Sequence, residues 1–540
     1  MENGLRSRDQ NNGVQRLSDR SGITVTEMAP MDGAVDLSLE TTAAFIGRAL
    51  RGPLNTPILL RNFAEFRRRF GGVWQRSSLS VAVEQFFDHG GRQLYVVRVA
   101  NGARGAMICM PATQGVLVLH AVEPGSTESI RASVDYDGID DNDAVRFNLT
   151  LQRVAPDTGL VVDQEIYRRL SCDEDDRNYI GSVLTSSELA RPQVPLPPGR
   201  PQRTIDAANR FDPGYVGHAQ AGTDGGPLTD YDLVGSAVAG TGLFALNQVE
   251  RFDLLYMPPP ARQEDLGPAA ILAAELYCRR RGAMLLLDPP AAWKTASAAL
   301  SGTRNAGYAS PNILSYFPRM YCRIDDDAPP RAIGGALAGM LCKLDRNHGS
   351  WCGLEQSDLV FRRDLASAVE LGPDDARRLV REGLNAITAM PGRAGRVSGS
   401  VTLARNSPTD RQFASLGVRR LCLMITNAIE RATRWAVFQS NEVGVAERIQ
   451  AQVHAYLSCL ADAGAIADDH FMVQCDRGLQ VQPKHAERGV TILLKFYPAG
   501  AHDAVTLTLH QTVSGCRVAT TAFAPSPESR KHAETKISRL

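Results

Sequence analysis

The sequence predicts an α/β and α+β multidomain protein: an α/β core with an inserted small β-domain, a C-terminal α+β domain, and extended N- and C-terminal arms. Three observations predict it. Two apolar runs, 252–257 (FDLLYM) and 283–287 (AMLLL), each stop at a proline and enclose a helix-patterned stretch, 269–280. Strand, helix, strand at that spacing is the unit of a parallel sheet. Between Ala103 and Leu189 the pattern turns to β-formers divided by turn residues. Near the C-terminus two helical periodicities precede two β-runs. At 540 residues the chain exceeds what one core holds.

In chain order, residues up to about Ser21 are polar and rich in Asn, Arg and Asp. The short strand Ile23-Thr24-Val25-Thr26-Glu27 follows, within an N-terminal arm over 1–35. An isolated strand has unpaired backbone groups and must find a sheet edge, in this chain or another. The first part of the core spans 36–102. Its stretch TTAAFIGRALRGPLNTPILLRNFAEFRRRFGG reads as a strand (Ala43 to Ile46), a Gly52-Pro53 turn, a second strand (Pro57 to Leu60), and a helix. That helix carries Phe63, Phe66 and Phe70 on one stripe and stops at Gly71-Gly72. A further helix, with Leu79, Val83, Phe86 and Phe87, ends at Gly90-Gly91 and hands over to the strand Leu94 to Val99.

The inserted β-domain spans 103–203, with runs VLVLHAV, SIRASVDY and VRFNLTLQRV and a proline-rich loop or linker from Leu189 to Arg203. The second part of the core covers 204–382, where the helix between the two apolar runs presents Ile271, Leu272, Leu276 and Tyr277. The C-terminal domain, 383–515, has one helix with Val418, Leu421, Cys422, Ile425 and Ile429 on a face. A second helix carries Val445, Ile449, Val453, Tyr456, Leu457 and Leu460. Strands follow over Val490 to Tyr497 and Val505 to Val513, then a polar, mobile tail over 516–540.

Composition narrows the function. Lys plus Arg and Asp plus Glu are both 59, so no global charge recruits nucleic acid or an anionic membrane. A zero balance suits a subunit packed densely beside copies of itself. The ten cysteines are scattered, without a C-x-x-C pair or zinc spacing, and read as reduced thiols in a cytosolically made protein. The N-terminus lacks the apolar h-region of a signal peptide, and no apolar run is long enough to cross a bilayer. A soluble protein, not exported by the general secretory route, is expected.

No motif carries chemistry convincingly. Gly240-Thr241-Gly242-Leu243-Phe244-Ala245 fits a dinucleotide fingerprint, but a poor strand precedes it and the later acid is absent. A glycine turn opening a packed helix accounts for it, and a nucleotide-binding oxidoreductase would rest on it alone. The acidic turn Asp135 to Asp143 lacks the D-x-D-x-D-G order and distal Glu of a calcium loop. Ser398 and Ser514 lack the flanks of a nucleophile elbow, and no HExxH occurs. No enzyme, catalytic residue, metal site or cofactor is expected. Arg419, Arg420, Arg431 and Arg434 cluster in and after the first C-terminal helix, either as a solvated face or as a contact for an acidic partner.

The opening segment, with FFDHGGRQLYVVRV at its end, resembles the start of contractile tail sheath proteins. So do GLNAITAMPGRAGRVSGSVTLARNSPTDRQFASLGVRRL, IERATRWAVFQSNE, the helix ending DAGAI, and FMVQCD. The pair FDLLYMPP and LLLDPP and the insert start EPGSTESIRASV are also similar to that family. The resemblance runs from about Ile23 to Asp476 and rests on order and spacing together. The segment from Pro483 to Leu540 departs from the family pattern, and Ser301 to Asp358 fits it loosely.

The resemblance implies a homo-oligomeric sheath, in rings or helical strands around an inner tail tube protein. It contracts from a metastable extended state to drive the tube through a target envelope. It implies baseplate and tail terminator partners, no nucleic acid and no direct membrane insertion. The place implied is a virion tail, or an injection-system or tailocin particle, assembled in the bacterial cytoplasm. Under it, Ile23 to Glu27 is a donated inter-subunit strand. Val490, Thr491, Ile492, Leu493 and Leu494 form its C-terminal counterpart or acceptor. The helix Val418 to Thr433 faces the tube, with Arg419, Arg420, Arg431 and Arg434 as contact candidates.

Overall fold

Six parallel strands, flanked by one antiparallel strand at each edge, form the centre of the larger of two units in the computed structural model. The structure describes residues 40–155, 158–204, 214–322, 328–357, 359–390, 393–406, 411–437, 444–467, 471–476, 489–501, 503–512 and 515–519. Residues Leu39–Leu423 make up one unit, and the chain from Met424 onward belongs to the other. The expected donated strand at Ile23 to Glu27 lies outside the described residues.

The first strand, β1 (Ala43–Gly47), has its continuous apolar run because both faces are covered. Ala43 and Phe45 enter one core; Ala44 and Ile46 enter another on the opposite face. β2 (Ile58–Leu60) leads into α1 (Phe63–Phe70), whose cap Asn62 accepts from the Glu65 N–H and whose end is Gly71 at φ 91°. α2 (Ser78–Asp88) is capped by Ser77 and precedes β3 (Leu94–Arg98), which runs parallel to β1 and antiparallel to β2. These elements stand where the hydrophobic stripes predict them.

The insert comes next. β4 (Met107–Pro111) and β5 (Val116–Ala121) form a hairpin, and β6 (Ile130–Asp135), β7 (Phe147–Val154) and β8 (Val161–Leu170) form a meander. α3 (Ile180–Val183) follows, then β9 (Ala190–Pro192). The proline-rich stretch is not a linker, because β9 pairs with β5 and the Gln202 N–H donates to the Pro111 carbonyl at 2.7 Å. Proline removes donors without preventing the remaining groups from joining a sheet edge. The insert also closes later than 203: Val216 bridges Ala132, Gln220 bridges Met107, and Gly226 bridges Asn101 at its base.

α4 (Asp230–Val234), β10 (Leu254–Tyr256), α5 (Pro268–Arg281), β11 (Met284–Leu287), α6 (Ala296–Asn305) and β12 (Ile313–Phe317) return to the α/β pattern. On α5 the buried stripe is Ala270, Ile271, Ala274, Tyr277 and Cys278, whereas Leu272 and Leu276 are 56% and 44% exposed. Small residues at the close-packed positions turn the two leucines outward, which corrects the expected face. β13 (Met320–Cys322), α7 (Gly334–His348), β14 (Leu365–Ser367) and α8 (Pro373–Arg381) follow. β15 (Asn385–Met390) and β16 (Arg393–Ser398) then complete the sheet in the order β16-β15-β12-β11-β10-β1-β3-β2. The C-terminal domain therefore does not begin at 383, because β15 pairs parallel with β12 of the core.

The division between units falls within α9 (Leu416–Thr433), between Leu423 and Met424. The second unit holds α10 (Val445–Asp462), whose six predicted apolar residues are all buried. It also holds an antiparallel sheet of β17 (Met472–Asp476), β18 (Gly489–Phe496), β19 (Val505–Thr512) and β20 (Gly515–Ala519) in that order. β20 shows that the segment after 515 opens as a strand rather than as a tail.

Candidate assembly surfaces

The sheet of the second unit decides which strand can be shared with another chain. Val490, Thr491, Ile492, Leu493 and Leu494 lie in β18, which pairs with β17 on one side and β19 on the other. Both of its ladders are filled within the chain, so β18 has no open edge for an added strand and could take part only as the interior of an accepting sheet. The edges that pair on one side only, among the described residues, are β17 and β20. Such an edge presents a row of N–H and C=O groups to an added strand. Alternation did not reveal this, because an interior and an edge strand share the same period.

The four arginines around α9 separate by burial. Arg420 is 5% exposed, and its guanidinium bonds the carboxylate of Asp345 on α7, which has no exposed surface. The same carboxylate accepts from the Thr41 hydroxyl just before β1. Burial works against the Arg420 charge, but Asp345 outweighs it and holds the guanidinium above its ordinary value. Arg420 is an internal tie and is withdrawn as a contact candidate. Arg419 is half-buried, donates to Asn312 Oδ1 at 2.7 Å and lies 4.8 Å over the Phe413 ring. Arg431 is half-buried too. Arg434 is exposed, 3.3 Å from Glu430. Of the four, Arg434 has the most accessible charge.

The other motifs have structural explanations. Gly240 and Gly242 take φ of 63° and 60° in a turn that opens a short 3-10 helix, Gly242–Gln248, with Leu243, Ala245 and Leu246 buried. α4 rather than a strand precedes it, so no dinucleotide crevice is built. The acidic turn joins β6 to β7. There Asp135, Asp140 and Asp143 accept from backbone N–H groups of the turn itself. Among the described residues no three His, Cys, Asp or Glu side chains are grouped to hold a metal ion, and no helix is long and apolar enough to cross a membrane. The described cysteines are free thiols.

A cluster that sequence reasoning missed lies where the insert meets the core. Arg98, at the end of β3, is 1% exposed and donates to the carbonyls of Ala49 at 3.0 Å, Gly52 at 2.5 Å and Pro124 at 2.8 Å. Burial lowers its pKa to about 10, against the pull of Glu123. Glu123 accepts from the Gly52 N–H at 3.1 Å, and Arg153 bonds Glu128 at 2.8 Å. The insert is thus gripped at its base by buried, charge-assisted bonds. A lone Arg closing an apolar strand carried no signal for it.

No family model matches the chain. Over 149 residues, 27% of its length, it is 26% identical to the tail sheath protein of Vibrio phage KVP40, and the match spans 21% of that protein. Its fold is similar to the crystal structure of the sheath tail protein from Listeria innocua. That likeness has a TM-score of 0.59 at 13% identity and covers 89% of this chain and 97% of the other. A second likeness, to the sheath tail protein from Desulfitobacterium hafniense, has a TM-score of 0.53 at 13% identity and covers 91% and 100%.

Proposed function

We propose that this chain, which has the fold of the sheath tail proteins, is the structural subunit of a contractile sheath that polymerises around an inner tube. The observation that carries the proposal is a likeness to the Listeria innocua protein that covers 89% of this chain and 97% of the other. A sheath needs connections that survive rearrangement and interfaces that differ between two states. Strand donation meets the first need, because main-chain ladders persist while domains rotate. In this reading a neighbour's Ile23 to Glu27 adds to β17 or β20. Arg434, with Arg431 beside it, faces an acidic inner tube protein; baseplate and terminator proteins cap the polymer. The work is mechanical and non-enzymatic, and the same subunit serves a phage tail, a tailocin or an injection device.

Negative-stain microscopy of the purified full chain tests the reading. Long striated tubes are expected. Particles that stay single at every concentration overturn it.

A further inference from the structure

Between Arg48 and Arg76 the chain has seven arginines and one carboxylate, Glu65. The fold draws several of these arginines together around Arg48 and Arg51. Arg51 Nη2 donates to the Arg68 carbonyl at 2.9 Å at the end of α1, and Arg48 lies 4.9 Å over Trp74, with Arg76 close enough to act on its charge. Arg67, Arg68 and Arg76 are exposed, and among the described residues none of the three forms an ion pair. A cavity of about 510 Å³, lined in part by Gln75, Ser77, Arg262 and Arg331, opens next to the chain at Arg76.

The opposite charge sits at the far end of the insert. The β6–β7 turn exposes Asp140 and Asp141, and the loop after β8 exposes Glu174 and Asp175. Arg146 binds the two loops into one tip, reaching Asp176 at 3.2 Å and Asp143 at 3.8 Å. The basic face adjoins the insert's base, where the N–H of Gly52, next to Arg51, donates to Glu123 at 3.1 Å. β6 leaves from there, and β7 returns over eight residues to Arg153, bonded to Glu128. At about 3.3 Å per residue, roughly 25 Å separates tip from base. The buried bonds of Arg98 and Glu123 hold the insert in place, so the tip cannot fold back onto its own basic face.

We propose that the acidic tip of one copy docks on the Arg67, Arg68 and Arg76 face of a second copy. The two patches are different surfaces, so the contact is head-to-tail and propagates into an open polymer rather than closing as a dimer. Long-range attraction would set the speed and register of assembly. The inference rests on the reading that copies polymerise, and it names one interface through which they do so.

The test uses the full-length protein at about 0.05 M and about 0.5 M salt, with sedimentation velocity and microscopy as readouts. R68E/R76E and D141K/D175K change exposed side chains and leave the fold intact. Each pair should weaken association about tenfold at low salt, and all four changes in one chain should restore it. Loss in the arginine variant without loss in the aspartate variant would mean that the face meets a different polyanion, which overturns the contact. Failure of the four-residue variant to recover overturns it as well. Normal tubes from both pairs would sink this contact and leave the sheath reading standing. Charge-dependent association without tubes from any form would do the reverse.

Discussion

Asp345 has no exposed surface, yet it holds Arg420 and Thr41 together from three distant parts of the chain. Removing one partner of a buried pair leaves the other charge uncompensated. Asp345→Ala should therefore cost about 3–5 kcal/mol in denaturant unfolding, while Asp345→Leu with Arg420→Met should recover most of the loss. His89 offers a second residue-scale test. Its Nδ1–H donates to the Gln85 carbonyl at 2.7 Å, and Nε2 accepts from the Arg362 N–H at 3.3 Å, so the neutral ring fits and the protonated one does not. Burial pushes the pKa below its ordinary 6.5, against the Gln85 bond. The unfolded chain then takes up its proton at a higher pH than the folded one. Stability is complete above 6.5 and declines as pH falls through that value toward the lowered pKa. His89→Gln should flatten the urea midpoint between about pH 7 and about pH 5.

At the scale of elements, α2 and α7 approach until backbone meets backbone. A Cβ on Gly335 would press into the Ala82 carbonyl, and one on Gly339 into that of Phe86. Gly339→Val should lower stability by about 1–3 kcal/mol by overpacking, read as a shifted denaturant midpoint with an unchanged slope. Elements of this kind were largely legible in the sequence. The phenylalanine stripe, the caps at Asn62 and Ser77 and the apolar face of α10 are local patterns with local causes. What stayed hidden depends on pairing across distance. Leu272 and Leu276 face solvent because Ala270 and Ala274 allow the closer approach. β18 is an interior strand because Met472–Asp476 returns beside it. Of the expected assembly residues, Arg420 was misread because its partner lies 75 positions away in sequence.

For the whole molecule, the two units differ in what they can offer a neighbour. The larger has a sheet covered on both faces, with Phe45 packed edge-on against Phe86 and Tyr256 at 5.4 and 5.1 Å. The smaller has strand edges at β17 and β20 that can accept a neighbour. If the arm supplies that neighbour, deleting residues 1–30 should leave a soluble, folded subunit that forms no tubes. Tubes of normal length from the truncation would exclude the arm, and a chain that fails to fold would show that residues 1–30 serve the subunit itself.

The Asn101–Gly226 bridge has a use beyond this chain. It brings the two cut ends of the core to about 5 Å, the spacing of paired antiparallel strands. That is a splice site: a foreign module whose termini lie equally close can replace everything between them without rerouting the core. Its chemical obligations are a carbonyl for Arg98 where Pro124 now stands, an acceptor for the Gly52 N–H in place of Glu123, and carbonyls for Arg48 in place of those of Asp224 and Gly225. A polymer of such subunits would display the module once per copy, at the repeat of the lattice.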